Sequence, residues 1–319
     1  MRRAAVPAAL ALTLGLAACG GQEEPAGGSA TGGAGGNVSG EVLADGSSTV
    51  QPLAAAAGEL FKEENSAVNV SVGTSGTGGG FEVFCKGSID ISDASRPIKA
   101  EEAAACKAAG IEYTQLHVAT DALTVVAAKN NNFLTCLTTP ELKKLWEPAA
   151  TKKVTTWNQV NPKFPNRPIQ LYGPGTDSGT FDYFTDEING KEGASRTDYN
   201  ASEDDNVLAQ GVSGSPNALG YFGYTYFEEN VDKLKAVSID SGKGCVAPSA
   251  ETAQNETYTP LSRPLFIYVS NKAAAAKPQV KAFVTFYAEN DEDIAKTAKF
   301  IALNSQQRTE LQNAVKTIG

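Results

Sequence analysis

The chain reads Val70-Ser71-Val72-Gly73-Thr74-Ser75-Gly76-Thr77-Gly78-Gly79-Gly80, a short β-strand pattern followed by a loop of glycine, serine and threonine. A helical pattern is predicted to start directly after this loop, at Phe81. The same order of strand, polar loop and helix occurs over residues 42–49 and again over residues 169–180, where the helix is predicted from Phe181. Such alternation of strands and helices predicts an α/β fold with mainly parallel sheets.

The three loops have the composition of an anion site. A helix N-terminus carries unpaired N–H groups and a partial positive charge, and glycine lets the backbone approach a ligand closely. For one loop alone, ordinary capping and turn formation explain these residues better. Three similar loops favour a cage of neutral donors around an oxyanion. Nucleotide motifs do not fit, because no Gly-x-x-x-x-Gly-Lys-Ser/Thr occurs and Phe81 breaks the dinucleotide pattern.

At these loops the sequence resembles the phosphate-binding proteins of ABC transporters, the PstS family, over nearly the whole mature chain. The segments that carry the resemblance are residues 45–49, 73–80, 90–97, 175–180 and 217–224. The resemblance implies a periplasmic-binding-protein-like fold. In that fold two α/β lobes are joined by crossover strands, the anion lies in the cleft, and a hinge closes on binding.

The crossover strands are expected near residues 116–120 and 260–264. They divide the chain into a first lobe of residues 41–117 plus 262–319 and a second lobe of residues 118–261. The first two loops then belong to the first lobe and the third loop belongs to the second, so that the anion would bridge the lobes.

The resemblance also implies which residues contact the phosphate, through hydroxyl or backbone N–H groups. The expected donors are Ser48 and Thr49 from the first loop, Thr77 from the second, and Ser178, Gly179 and Thr180 from the third.

The chain departs from the family where better-known members have an Asp and an Arg. At these positions it has Ser95, followed by Arg96, and Pro174. We hypothesise that Ser95 and Arg96 belong to the site, with Arg96 supplying the positive charge. A nearby carboxylate would accept the phosphate proton and exclude sulfate. The acceptor candidates are Asp177 first, then Asp93 and Asp45. The structural alternatives are a surface ion pair for Arg96 and an N-cap role for Asp177.

The N-terminus has the pattern of a lipoprotein signal peptide over residues 1–18. Two arginines precede a short apolar run, and small residues precede Cys19, the predicted lipidation site. Residues 19–40 are rich in Gly, Ser and Ala and predict a flexible tether, although a merely disordered N-terminus has the same composition. The expected location is the extracytoplasmic face of the cell membrane.

The other four cysteines suggest two disulfides, since the chain is predicted to be exported. Three pairings are possible, and we favour Cys85–Cys106, which closes a short local loop, together with Cys136–Cys245. A single histidine and the absence of Cys-x-x-Cys argue against zinc, and no cofactor is expected.

The expected partners are inorganic phosphate, the permease subunits of an ABC transporter and, through the anchor, the membrane. The chain is expected to be monomeric. A formal net charge of −9 argues against nonspecific nucleic-acid binding. Two alternatives stay open: a binder of another oxyanion such as sulfate or molybdate, and a serine phosphatase or hydrolase using Ser48 or Ser178. The hydrolase would need His117 as its base, and a structural role is favoured for this histidine.

Overall fold

A computed structural model describes residues 38–176 and 178–318 of the chain. The predicted signal peptide, Cys19 and nearly all of the tether lie outside the described residues, and so does Asp177. Within them, the strands are β1 (Gly40–Gly46), β2 (Val68–Val72), β3 (Ile91–Ala94), β4 (Tyr113–Ala128), β5 (Cys136–Thr138), β6 (Gln170–Gly173), β7 (Asn200–Ala201), β8 (Ala218–Gly223), β9 (Leu234–Ala236), β10 (Ser238–Asp240), β11 (Cys245–Val246) and β12 (Ser262–Ser270).

The helices of the same residues alternate with these strands. They are α1 (Gln51–Glu64), α2 (Gly76–Phe84), α3 (Ala100–Ala108), α4 (Thr139–Trp146), α5 (Trp157–Val160), α6 (Gly179–Phe184), α7 (Asp205–Ser213), α8 (Tyr224–Glu228), α9 (Ala250–Gln254), α10 (Asn271–Ala276), α11 (Pro278–Glu289), α12 (Asp291–Thr297) and α13 (Ser305–Lys316). A short 3-10 helix covers Pro148–Ala150, and a π-helical turn over Thr185–Asn189 continues α6.

The main sheet has the strand order β2-β1-β3-β12-β4-β8-β6-β7, with β9 also beside β4. The strands that lead into the three loops, β1, β2 and β6, pair in parallel with their neighbours. The two long strands β4 and β12 run antiparallel to every strand they pair with. The α/β fold is therefore confirmed, and its parallel pairing is concentrated where the loops are.

Strand β4 joins two halves of this sheet. Its residues 113–122 pair with β12, whereas residues 123–127 pair with β8. The buried apolar side chains follow the same division. One cluster comes from residues 42–119 and 265–318, and another comes from residues 123–261. Each half thus has its own hydrophobic core, as a two-lobed fold requires.

Two helices start earlier than the sequence predicted. Helix α2 starts at Gly76 rather than Phe81, and α6 starts at Gly179 rather than Phe181. Apolar periodicity marks only the buried face of a helix, so it misses a first turn made of glycine and hydroxyl residues. In α2 that turn packs closely on the first loop, because a Cβ at Gly80 would lie 2.6 Å from the Cα of Gly46.

Both predicted disulfides are present. Cys85, at the C-terminal end of α2, is bonded to Cys106 in α3, and Cys136 of β5 is bonded to Cys245 of β11. Each bond lies within one half of the fold and joins two of its peripheral elements. Among the described residues, no helix combines the length and the hydrophobicity needed to cross a membrane.

Candidate functional site

The first loop (residues 45–49) makes a tight turn at the N-terminus of α1. The N–H of Ser47 donates to the carbonyl of Asp93 on β3 at 2.9 Å, and the carbonyl of Ser47 closes the turn into α1. This turn leaves Ser48 exposed and Thr49 half-buried at the helix end. Their N–H groups donate to no other described residue, so both are available to a ligand.

The second loop (residues 73–80) is held against the first by Asp45. One carboxylate oxygen of Asp45 accepts the N–H of Ser75 at 2.9 Å and also that of its own neighbour in the first loop. In the first turn of α2, the hydroxyl of Thr77 lies 3.2 Å from the hydroxyl of Ser95 and accepts its N–H at 3.3 Å. Thr77 and Ser95 therefore form a hydrogen-bonded pair beside the loops.

The third loop (residues 173–180) ends at the N-terminus of α6. Ser178 is the N-cap, and its hydroxyl accepts an N–H from the first turn at 3.2 Å. Gly179 is packed against the first loop, since a Cβ at this position would lie 3.0 Å from Thr49 Oγ1 and 3.3 Å from Ser48 Oγ. Helix N-termini from the two halves of the fold therefore meet at one point.

These helix N-termini line a cleft of about 530 Å³. The predicted site residues that line it are Ser48, Thr49, Thr77, Ser95, Arg96 and Gly179. Thr180 lies instead on a smaller pocket of about 130 Å³, and Ser178 is engaged as the cap. The cleft thus gathers predicted residues from all three loops.

Arg263 brings into this cleft a positive charge that the sequence reasoning missed. It lies on β12, and its Nη2 donates to the Thr49 hydroxyl at 2.9 Å. Its Nε donates to Asp121 at 3.2 Å, and its guanidinium carbon lies 3.6 Å from the ring centroid of Tyr183. Contacts from β4, the first loop and α6 therefore fix this guanidinium beside the first-loop donors.

Arg263 and Asp121 form a buried ion pair on the two long strands. The side chain of Asp121 is 8% exposed, and its burial raises the pKa of the carboxyl, an effect that the Arg263 charge opposes. A sequence signal for the pair existed. Each residue is a charged residue at or next to a predicted crossover, and charged side chains are rarely buried unless they are paired.

Arg96 lines the same cleft, but its charge is engaged elsewhere. Its two terminal nitrogens donate to the Glu102 carboxylate at 2.9 Å and 2.7 Å. These hydrogen bonds raise the pKa of Arg96 and lower that of Glu102. Arg96 thus forms an ion pair with Glu102, while its side chain also lines the cleft.

The two lower-ranked acceptor candidates, Asp93 and Asp45, are held within the protein beside the loops. Asp93 is fully buried and its carboxyl oxygens have no hydrogen-bond partner among the described residues. Burial, reinforced by the negative charge of Asp45, raises the pKa of Asp93 well above its usual value. Neither Asp93 nor Asp45 is among the described residues that line the cleft.

His117 has the structural role that was favoured for it. Its Nε2 lies 2.9 Å from the carbonyl oxygen of Ala119 on the same strand, and its ring packs against Phe266. Burial lowers the pKa of the imidazole. The histidine that a serine hydrolase would need as its base is thus already committed within β4.

The chain is similar to known proteins over most of its length. A model of the PBP superfamily domain matches residues 31–291. The protein SphX of Synechococcus elongatus is 51% identical over 269 residues, which cover 84% of this chain and 79% of that protein.

Two further relatives have names that refer to a ligand. The phosphate-binding protein PstS of Staphylococcus saprophyticus is 42% identical over 312 residues, covering 97% of this chain and 92% of that protein. The crystal structure of a possible phosphate-binding protein from Planctomyces limnophilus superposes with a TM-score of 0.83 at 46% identity. The superposition covers 88% of this chain and 98% of the Planctomyces limnophilus chain.

Proposed function

The chain belongs to the PBP superfamily and, within it, to the phosphate-binding proteins of the PstS family, and we propose that it captures inorganic phosphate outside the cytoplasm for an ABC transporter. The phosphate would bind between two lobes, with boundaries at residues 41–117 plus 262–319 and residues 118–261. The two separate cores support this division. Bound phosphate would favour the closed form by its contacts to both lobes, and the permease would recognise that form.

One observation carries this proposal: helix N-termini from both halves meet at the first loop, beside a fixed guanidinium. Gly179 of α6 packs against Ser48 and Thr49, and Arg263 donates to the Thr49 hydroxyl. Backbone N–H groups and a guanidinium are the donors that phosphate oxygens accept most strongly. The same arrangement suits an acidic protein, because the positive charge is local rather than spread over the surface.

We assign the donor roles as follows. The first loop contributes the N–H groups and hydroxyls of Ser48 and Thr49, and α6 contributes its N-terminal N–H groups through Gly179. Arg263 supplies the positive charge that was first ascribed to Arg96. The remaining predicted site residues are Thr77, Ser95, Ser178 and Thr180 and, outside the described residues, Asp177.

Isothermal titration of the purified protein with phosphate and with sulfate, at two pH values, tests the ligand. We expect strong binding of phosphate and weak binding of sulfate. A preference for sulfate or molybdate would replace phosphate by another oxyanion. Failure to bind any of the three would reject the anion-binding function altogether.

The protein is proposed to be a binder without enzymatic activity. The engagement of His117 with Ala119 supports this, because neither Ser48 nor Ser178 then has an available histidine base. Incubation with a chromogenic phosphate ester should give no turnover. Turnover that Ser48→Ala abolishes would establish the hydrolase alternative instead.

The proposed location is the outer face of the cell membrane, through a lipid on Cys19, with the binding domain acting as a monomer. Labelling of cells with a radioactive fatty acid should mark the protein, and Cys19→Ser should remove the label and release the protein. Sedimentation of the soluble domain measures its oligomeric state. A label that survives Cys19→Ser would exclude this anchor.

A further inference from the structure

A second groove between the two halves of the fold lies away from the anion cleft. This rear groove has a volume of about 740 Å³. One wall is formed by α8 and α9 of the second half, and the other by residues 299–304 of the first half, the segment that connects α12 to α13. Of the described residues, none lines both the rear groove and the cleft. The two halves therefore face each other across two separate openings.

The cleft and the rear groove flank β4 on opposite sides. At the crossover, Asp121 of β4 pairs with Arg263 of β12, which lines the cleft. On its other side β4 is bonded to Ile301, which lines the rear groove. The N–H of Thr120 donates to the Ile301 carbonyl at 2.9 Å, and the N–H of Ile301 donates to the Thr120 carbonyl at 3.1 Å. A rotation of the halves in the plane of these strands would thus widen one opening as it narrows the other.

The structure has the cleft closed at the first loop and the rear groove open. The cleft is closed there because the N-terminus of α6 lies against Thr49. At the rear groove, hydrogen bonds join both helices of one wall to the connecting segment of the other. The Thr225 hydroxyl of α8 donates to the Lys299 carbonyl at 2.7 Å, and Gln254 Nε2 of α9 donates to the Ala302 carbonyl at 2.7 Å. The connecting segment is therefore attached to β4 and to both helices, as a pivot requires.

Lys299 holds this joint in a backbone conformation that lysine rarely adopts. Its φ is 63°, in the left-handed region, at the position after the C-cap of α12 where glycine is usual. Its side chain forms an ion pair with Glu229 of the second half and lies 5.9 Å from the ring centroid of Tyr226. Glycine would remove the strain and lose these contacts between the halves. The lysine thus strengthens the attachment at the pivot at the expense of local backbone strain.

We propose that the rear groove is the space into which α8 and α9 move when the cleft opens, so that the bulk of the side chains lining it sets the phosphate affinity. This inference rests on the proposed closure around phosphate. A filled groove hinders opening and raises the closed fraction of the phosphate-free protein. The apparent affinity rises with that fraction, because only the closed form makes contacts to the anion from both halves.

Tryptophan in place of a small groove residue tests this inference. Ala302 lines the groove from the first half and Ala250 from the second, and both are half-buried. In calorimetric titration, Ala302→Trp and Ala250→Trp should each tighten phosphate binding by about fivefold or more. Small-angle X-ray scattering of the phosphate-free variants should give a smaller radius of gyration than that of the phosphate-free wild type.

A matched control places the same side chain elsewhere. Ala275→Trp changes an exposed position on α10, a helix that lines neither the cleft nor the rear groove, and should leave affinity and radius at their wild-type values. No gain in affinity in either groove variant, or an equal gain in Ala275→Trp, would overturn the inference. Phosphate binding by the wild type would still uphold the proposed function in both cases. The two groove substitutions enter from opposite halves, so one variant that thermal unfolding shows to be folded is sufficient.

Discussion

Replacing Arg263 with methionine should change both the free energy of unfolding and the free energy of phosphate binding, and a second substitution can separate the two effects. The side chains of Arg263 and Asp121 are only 18% and 8% exposed. Removal of the cation leaves the Asp121 carboxylate buried without a partner, which costs about 3–5 kcal/mol when a buried pair is broken on one side. We therefore expect a large decrease in the free energy of unfolding, together with a decrease in phosphate affinity.

The loss of affinity has a separate origin. A hydrogen bond to a charged group contributes about 1.5–3 kcal/mol. On that scale, the loss of the proposed Arg263 contact with phosphate should raise the dissociation constant by roughly tenfold to 150-fold. The second substitution Asp121→Asn removes the unpaired charge. The double variant should recover most of the lost stability without recovering the affinity.

Urea unfolding measures the stability of both variants, and calorimetric titration measures their phosphate affinity. Arg308→Met is the matched control, because it breaks the buried pair with Asp291 on α12, away from the cleft. It should lower stability and leave the affinity unchanged. If the double variant bound phosphate as tightly as the wild type, Arg263 would serve only to neutralise Asp121, and its assignment as an anion ligand would be wrong.

Three further outcomes are expected. Removal of the Cys85–Cys106 disulfide by replacing both cysteines with serine should lower the free energy of unfolding, measured in urea, by about 3 kcal/mol. The reason is that the bond closes a loop between residues separated by 21 positions in sequence. Gly179→Ala should weaken phosphate binding about tenfold in a calorimetric titration, because its Cβ would press on Thr49 and spread the two helix ends. Asp205→Asn should raise the melting temperature at about pH 8 and leave it unchanged near pH 3.5. Burial raises the pKa of Asp205 to about 6 in the folded protein. The free energy of unfolding therefore falls as the pH rises from about 4, the ordinary pKa of an Asp carboxyl, through about 6.

Much of the donor set was predictable from local sequence, because each donor loop is encoded over a few consecutive residues. The strand pattern, the glycines and the hydroxyl residues around Ser48, Thr77 and Gly179 all point to helix N-termini, and the structure has helices at each of them. The helix starts in α2 and α6 were misplaced for the same local reason: a polar first turn has no apolar periodicity. Parallel pairing of β1 with β2 brings the N-terminal ends of α1 and α2 together, whereas β6, which leads into α6, pairs with β7 and β8 in the other half of the sheet.

The charge pair was not predictable in this way, because its partners are distant in sequence. Arg263 and Asp121 are 142 residues apart and become neighbours only through the antiparallel register of β12 on β4, which pairs these same two residues. Arg96 follows Ser95, the position at which better-known family members have an Asp, and Glu102 accepts hydrogen bonds from both of its terminal nitrogens. Local sequence reasoning thus found one cation of the cleft, Arg96, and missed another, Arg263. The tertiary pairing of the two long strands, which also join the halves of the fold, sets the charge beside Thr49, where closure of the cleft would bring both lobes onto the anion.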